Sequence, residues 1–110
     1  MIYLAGPMRS IPLYNFPAFD TCAAYLRGHG YSVISPAELD RDHGFDPTAT
    51  TTPDVRGCMR RDVLAIIDQC DTIALMPGWE NSKGCAVEVA LGKFLGLKFI
   101  DATTCKELSI

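Results

Sequence analysis

Four short, mostly apolar runs, three of them cut off by turn-forming residues, punctuate this chain of 110 residues. Ile2-Tyr3-Leu4-Ala5 ends at Gly6-Pro7, Tyr31 to Ile34 ends at Ser35-Pro36, and Thr72 to Met76 ends at Pro77-Gly78. Leu97 to Ile100 is the fourth. A strand with one wet face alternates apolar and polar residues; a continuous apolar run is buried on both faces, as in a parallel sheet covered by helices. The intervening segments supply such helices. After Asn15, which reads as an N-cap, Phe16, Phe19, Ala23 and Leu26 follow helical spacing until Gly28 and Gly30 stop it. From about Asp54 to Cys70, Val55, Met59, Val63, Ile66 and Ile67 lie on or near one face of a second helix. Ser82 and Gly84 open a third, which runs to about Leu95. The stretch from Ala37 to Pro53 has no sustained period and reads as a long surface loop, of the kind that more often serves as a lid or binding loop than as idle linker.

Strands alternating with helices predict an α/β domain with right-handed crossovers and a ligand crevice off the carboxyl ends of the strands. Those ends are Gly6 to Ser10, Ser35 to Asp40 and Pro77 to Gly84. The length fits one domain, residues 1–110, with a small core. A formal charge of -3 gives no long-range attraction to nucleic acid polymers or anionic membranes, and no apolar run approaches the roughly 20 residues of a membrane-spanning helix. Five cysteines, an odd number with no CxxC pair, and an N-terminus without a signal-like segment point to a reduced, cytoplasmic protein. Cys22, Cys70 and Cys85 read as small buried hydrophobes, and His29 and His43 as solvent-facing. A mean hydropathy of +0.12 is high for so short a chain, which leaves apolar surface for contact between subunits and an expected homodimer or larger homo-oligomer.

Glu88 is the most informative residue. Between Gly84 and Leu97 the only charged side chains are Glu88 and Lys93, five positions apart. At about 100° per residue that separates them by about 140°, so they do not pair across one face. A carboxylate among Ala86, Val87, Val89 and Ala90 is either an exposed polar stripe or a functional acid held in a pocket. In the pocket, burial raises its pKa while the nearby helix N-terminus favours the anion. Ser82-Lys83-Gly84 is a small anion site or simply a serine cap. Asp62 and Asp71 are either acids at the rim or, respectively, a solvated helix residue and a turn residue. Trp79, the sole tryptophan, is a stacking platform for a base or a lid over the core.

Taken together, Ile2 to Met8, Ser35 to Asp40, Met59-Arg60-Arg61-Asp62, and Leu75 to Gly84 followed by Glu88 resemble the nucleoside 2-deoxyribosyltransferase superfamily over about residues 1–101. The match is nearest its short branch common in phages and bacteria, related to the 2′-deoxynucleoside 5′-monophosphate N-hydrolases. Its most specific element is Ser82, Gly84 and Glu88 after an apolar strand. The resemblance implies a flavodoxin-like three-layer sandwich with a short parallel sheet of four to five strands. It implies cleavage or transfer at the N-glycosidic bond of a (deoxy)nucleoside or its 5′-monophosphate, through a covalent glycosyl intermediate on Glu88. Tyr3 would orient Glu88, and Asp62 would protonate the leaving base. Gly6, Pro7, Met8, Arg9 and Ser10 would wrap the nucleoside or its phosphate, and Pro36, Trp79, Ser82 and Gly84 would complete the substrate site. The small-molecule nucleoside or nucleotide is then the partner, and no metal or organic cofactor is required. The alternative is an inactive nucleotide-binding module, such as a phage factor that sequesters a nucleotide.

Overall fold

The computed structural model describes residues 1–50 and 52–110. Strands β1 (Ile2–Ala5), β2 (Val33–Ile34), β3 (Thr72–Leu75) and β4 (Lys98–Asp101) form one parallel sheet in the order β2-β1-β3-β4. Helices α1 (Phe16–Gly28), α2 (Pro36–Asp42), α3 (Val55–Gln69) and α4 (Lys83–Leu95) fill the connections. The chain winds outward from β1 in one direction to β2 and in the other to β3 and β4. That reversal is the arrangement of flavodoxin-like sheets, and its switch point lies between the ends of β1 and β3. The fold is therefore the expected three-layer α/β sandwich, with four strands.

The pleat decides which residues meet which helix. Ile2, Leu4, Ala74, Met76 and Ile100 face α1, where Phe16, Phe19, Ala23 and Leu26 bury the first core. Tyr3, Ala5, Ile73, Leu75 and Phe99 face the other side and pack with Ile66 of α3 and Cys85 and Val89 of α4. Gly92 lets α4 lie close on the sheet, because a Cβ there would stand 2.7 Å from Ile73 Cδ1 and 2.8 Å from Phe99 Cζ. Beyond β4 the tail turns back: Asp101 N–H donates to Lys106 O and Leu108 N–H to Phe99 O, both at 2.8 Å. This single antiparallel bridge covers the outer edge of β4.

Three expectations need correction. Residues 37–53 are not all loop, because Pro36–Asp42 is the helix α2. Its signals are Ser35 at the N-cap position, Pro36 at the first turn, Glu38 in that turn and Arg41 in the last. Seven residues hold too little periodicity to read, and α2 is fixed from outside. Arg27 of α1 grips Glu38 through two 2.6 Å hydrogen bonds, and Arg41 grips Asp20 of α1 at 2.8 and 2.6 Å. Asn15 stands at the N-cap of α1 with a left-handed φ of 61° and makes no side-chain cap. Its amide instead donates to Pro7 O at 2.9 Å and ties down the β1–α1 loop. Cys22 and Cys85 are buried as expected, whereas Cys70 is only half-buried.

Candidate functional site

Tyr3, Asp62 and Glu88 meet where β1, α3 and α4 pack together. Tyr3 is fully buried, its ring on the α3/α4 face of the sheet, and its hydroxyl donates a 2.6 Å hydrogen bond to Glu88 Oε2. Glu88 is 6% exposed and Asp62 8%, so neither belongs to a solvated helix face. Lys93 is exposed on the opposite side of α4, as the angular separation requires. Burial pushes the Glu88 carboxyl from an ordinary 4.5 up to about 8; the hydrogen bond from Tyr3 opposes this rise and the charge of Asp62 adds to it. Tyr3 is itself held above its usual range by burial and by the charges of Glu88 and Asp62. The three groups are one electrostatic unit, in which each responds to the ionisation of the others.

Two further ionisable groups complete the cluster. Arg61 is the sequence neighbour of Asp62, and its guanidinium folds back to donate from Nε at 3.0 Å and from Nη2 at 2.9 Å to Asp62 Oδ1. The same Nη2 lies 2.8 Å from Oδ1 of Asp40, a buried carboxylate on α2. Asp62 is raised by burial, restrained by Arg61 and pushed up further by Asp40. The Cys58 thiol also faces Asp40, at 3.7 Å. Beyond Arg61, a cavity of about 360 Å³ opens between α2 and the start of α3, lined by Asp40, His43, Phe45, Asp54, Cys58 and Arg61 among others.

The loops at the strand ends surround this layer. A Cβ on Gly6 would fall 2.6 Å from Met76 Sδ and 2.9 Å from its Cβ, so β1 needs glycine where it leaves the sheet beside β3. Gly78, at a φ of 86°, rests against Pro7, which joins the β1 and β3 loops at the switch point. Four residues of the β1–α1 loop, Ser10, Leu13, Tyr14 and Asn15, hold left-handed φ values between 51° and 65°. Such non-glycine strain, of order 1–3 kcal/mol each, persists only where surrounding contacts impose it.

The pattern of a protein family described as a domain of unknown function (DUF4406) matches residues 1–101. The chain belongs to this family. No curated protein and no solved structure matches it.

Within the DUF4406 chain the candidate residues fall into two groups. Tyr3, Asp62 and Glu88 are brought together. Arg9 and Ser10 stand exposed in the β1–α1 loop, with Gly6, Pro7 and Met8 half-buried beside them. Pro36 is buried in the first turn of α2. Ser82 uses its hydroxyl as the cap of α4, accepting from Cys85 N–H at 3.3 Å, and Gly84 lies in the first turn next to the Met59 methyl. Trp79 packs half-buried on the core between the sheet and α3/α4. Asp71 is an exposed turn residue near the N-terminal amine, at 3.4 Å, and His29 and His43 are exposed. The sequence reading passed over Arg61 and Asp40. The available signal was the pair of acids, Asp40 and Asp62, in the same motif-bearing stretches as Arg60 and Arg61, without a mark of which arginine turns inward.

Proposed function

We propose that this DUF4406 protein cleaves or transfers the N-glycosidic bond of a (deoxy)nucleoside or its 5′-monophosphate, with Glu88 as nucleophile. The observation that carries the reading is the buried Glu88 carboxyl held by the Tyr3 hydroxyl at 2.6 Å with Asp62 beside them. A Glu88 oxygen attacks the anomeric carbon as the carbon–nitrogen bond breaks, and the base departs with a proton from Asp62. The resulting glycosyl ester is then opened by water or by a second base. A carboxylate suits this reaction because positive charge builds on the sugar ring in the transition state. An acid poised to hold a proton assists the leaving group. The β1–α1 loop, with Arg9, supplies a cation for a 5′-phosphate.

The test is chromatography of a panel of nucleosides and 5′-monophosphates incubated with the protein. Free base is expected from at least one of them and is lost in Glu88→Ala and Glu88→Gln. A panel that stays intact at high protein concentration overturns the reading. Because the nucleophile works ionised and Glu88 holds its proton up to about pH 8, kcat/KM rises with pH through that region.

A second reading, a nucleotide-binding protein without turnover, draws on a different observation. The cavity of about 360 Å³ is lined from the Asp40 and Arg61 side, and neither Glu88 nor Tyr3 is part of that lining. Calorimetry separates the two, since tight mononucleotide binding with no product favours the second. The outer faces of α3 and α4 carry exposed Leu64, Ile67 and Val87, and Phe94 is 88% exposed. Such a surface supports the homo-oligomer that the sequence suggests, and no helix among the described residues is long and apolar enough to cross a membrane. A cytoplasmic location is part of the same proposal.

A further inference from the structure

We propose that Arg61 and Asp40 are positioning residues of this site: Arg61 fixes the Asp62 carboxyl against Tyr3 and Glu88, and Asp40, by sharing the guanidinium, sets how readily Asp62 holds the proton it donates. The inference rests on the functional reading above and extends it to two residues that do not face the reacting atoms.

The geometry is specific. Asp40 and Asp62 come from different helices, both are buried, and both reach the same nitrogen, Nη2 of Arg61, at 2.8 and 2.9 Å. Neighbouring residues on a helix point about 100° apart. A side chain that bends back onto its neighbour's carboxylate is therefore held there by something, and the Asp40 contact across the α2/α3 interface is what holds it. Two buried carboxylates, Asp40 and Asp62, share one guanidinium, and a third, Glu88, acts on Asp62 from the other side. Were Arg61 committed to Asp62 alone, the pair would be a closed ion pair with an acid too weakly basic to be protonated near neutrality. Were Arg61 absent, burial would leave Asp62 neutral and unfixed. Asp40 places the system between these limits.

The groups facing Asp62 are Tyr3 from β1, Glu88 from α4, Asp40 from α2, and Arg61 and Cys58 from its own helix. Two substitutions then move Asp62 in opposite directions. Arg61→Met removes the cation that favours the anion, so Asp62 titrates at higher pH. Asp40→Asn removes a competing anion and frees Arg61 for Asp62, which titrates at lower pH. A residue that merely braces the fold gives no such opposed pair.

The experiment is a carboxyl-carbon NMR titration of the full chain labelled at aspartate, on wild type, Arg61→Met, Arg61→Lys and Asp40→Asn. Parallel kcat/KM profiles against pH use the nucleotide that yields free base. Arg61→Lys, which keeps the charge but loses the shared fork, is expected between wild type and Arg61→Met. Loss of kcat in Arg61→Met is expected to stay within the contribution of one general acid, about 100- to 10,000-fold. Should Arg61→Met not fold, the downward displacement in Asp40→Asn carries the test by itself. An Asp62 titration that stays put, or moves the same way in both folded variants, overturns the proposal. Opposed displacements support it even where no nucleotide is cleaved, an outcome that removes the glycosidic reading alone.

Discussion

Replacing Glu88 by glutamine should make the protein more stable, and by an amount that grows with pH. In the folded state the carboxyl keeps its proton up to about pH 8, whereas unfolded it loses the proton near 4.5. Between those values the unfolded chain binds fewer protons at this position than the native one, so stability falls as pH rises. Its contribution is fully present below 4.5 and gone above about 8. At 1.36 kcal/mol per pH unit, an interval of about 3.5 amounts to about 5 kcal/mol. Glutamine is neutral throughout, has nearly the same shape and still offers an oxygen to the Tyr3 hydroxyl, so it escapes this loss. The difference between variant and wild type is therefore near zero at pH 4.5 and about 5 kcal/mol at pH 8.5, a large share of the roughly 5–15 kcal/mol that small domains possess. Urea unfolding followed by the fluorescence of Trp79, the sole tryptophan, measures it. With a slope of about 1–3 kcal/mol per M, the urea midpoints should coincide at the acid end and separate by about 2 M or more at the alkaline end. Midpoints separated by a constant amount at every pH would show that Glu88 ionises normally when folded, and the argument for a strained functional carboxylate would fail.

Other consequences are checkable with similar means. Tyr3→Phe removes the 2.6 Å hydrogen bond to Glu88; a bond to a carboxylate of this kind contributes about 1.5–3 kcal/mol, so kcat/KM should fall about 10- to 150-fold, with the Glu88 titration moving above its wild-type position. Gly92→Ala drives a methyl into Ile73 and Phe99 and should cost about 1–3 kcal/mol in a urea unfolding experiment, without changing the Tyr3–Glu88 contact. Cys85 is buried with its thiol pushed up to about 11, so iodoacetamide at neutral pH should modify it last among the five cysteines, as read by mass spectrometry. Phe94→Glu should lower the mass found by light scattering if the exposed apolar face of α3 and α4 joins two copies; an unchanged mass would place the contact elsewhere.

The strands and the three long helices were legible because each carries its own pattern. A continuous apolar run such as Ile2 to Ala5 has no wet face, and the spacing from Phe16 to Leu26 has only one dry one. Strand order was not legible, because β1 lies between β2 and β3 and the long connection that carries the chain past it leaves no local pattern. Helix α2 was hidden because what holds it is not local. Its two arginine clamps join residues 11 and 21 positions apart, and its cap residue makes no side-chain bond. The tail along β4 was equally hidden, since one bridge formed by backbone atoms leaves no mark on side-chain periodicity.

Within the site, the legible part was whatever broke a local rule. Glu88 stood out because an apolar helix face has no ordinary use for a carboxylate, and its burial beside Tyr3 shows that it is not an exposed polar stripe. Asp62 stood between two readings because the adjacent Arg60 and Arg61 make it look like part of a solvated run. The structure separates them: Arg60 is exposed, while Arg61 turns inward. No spacing rule signals that turn, because adjacent helical positions do not face each other. It arises only once Asp40 arrives from α2, itself unreadable for the reason given above. The turn of Arg61 thus depends on a helix that long-range clamps to α1 put in place. The contact between Asp40 and Arg61 orients the acid from that docked helix, so a substitution that loosens the clamps should also disturb the protonation of Asp62.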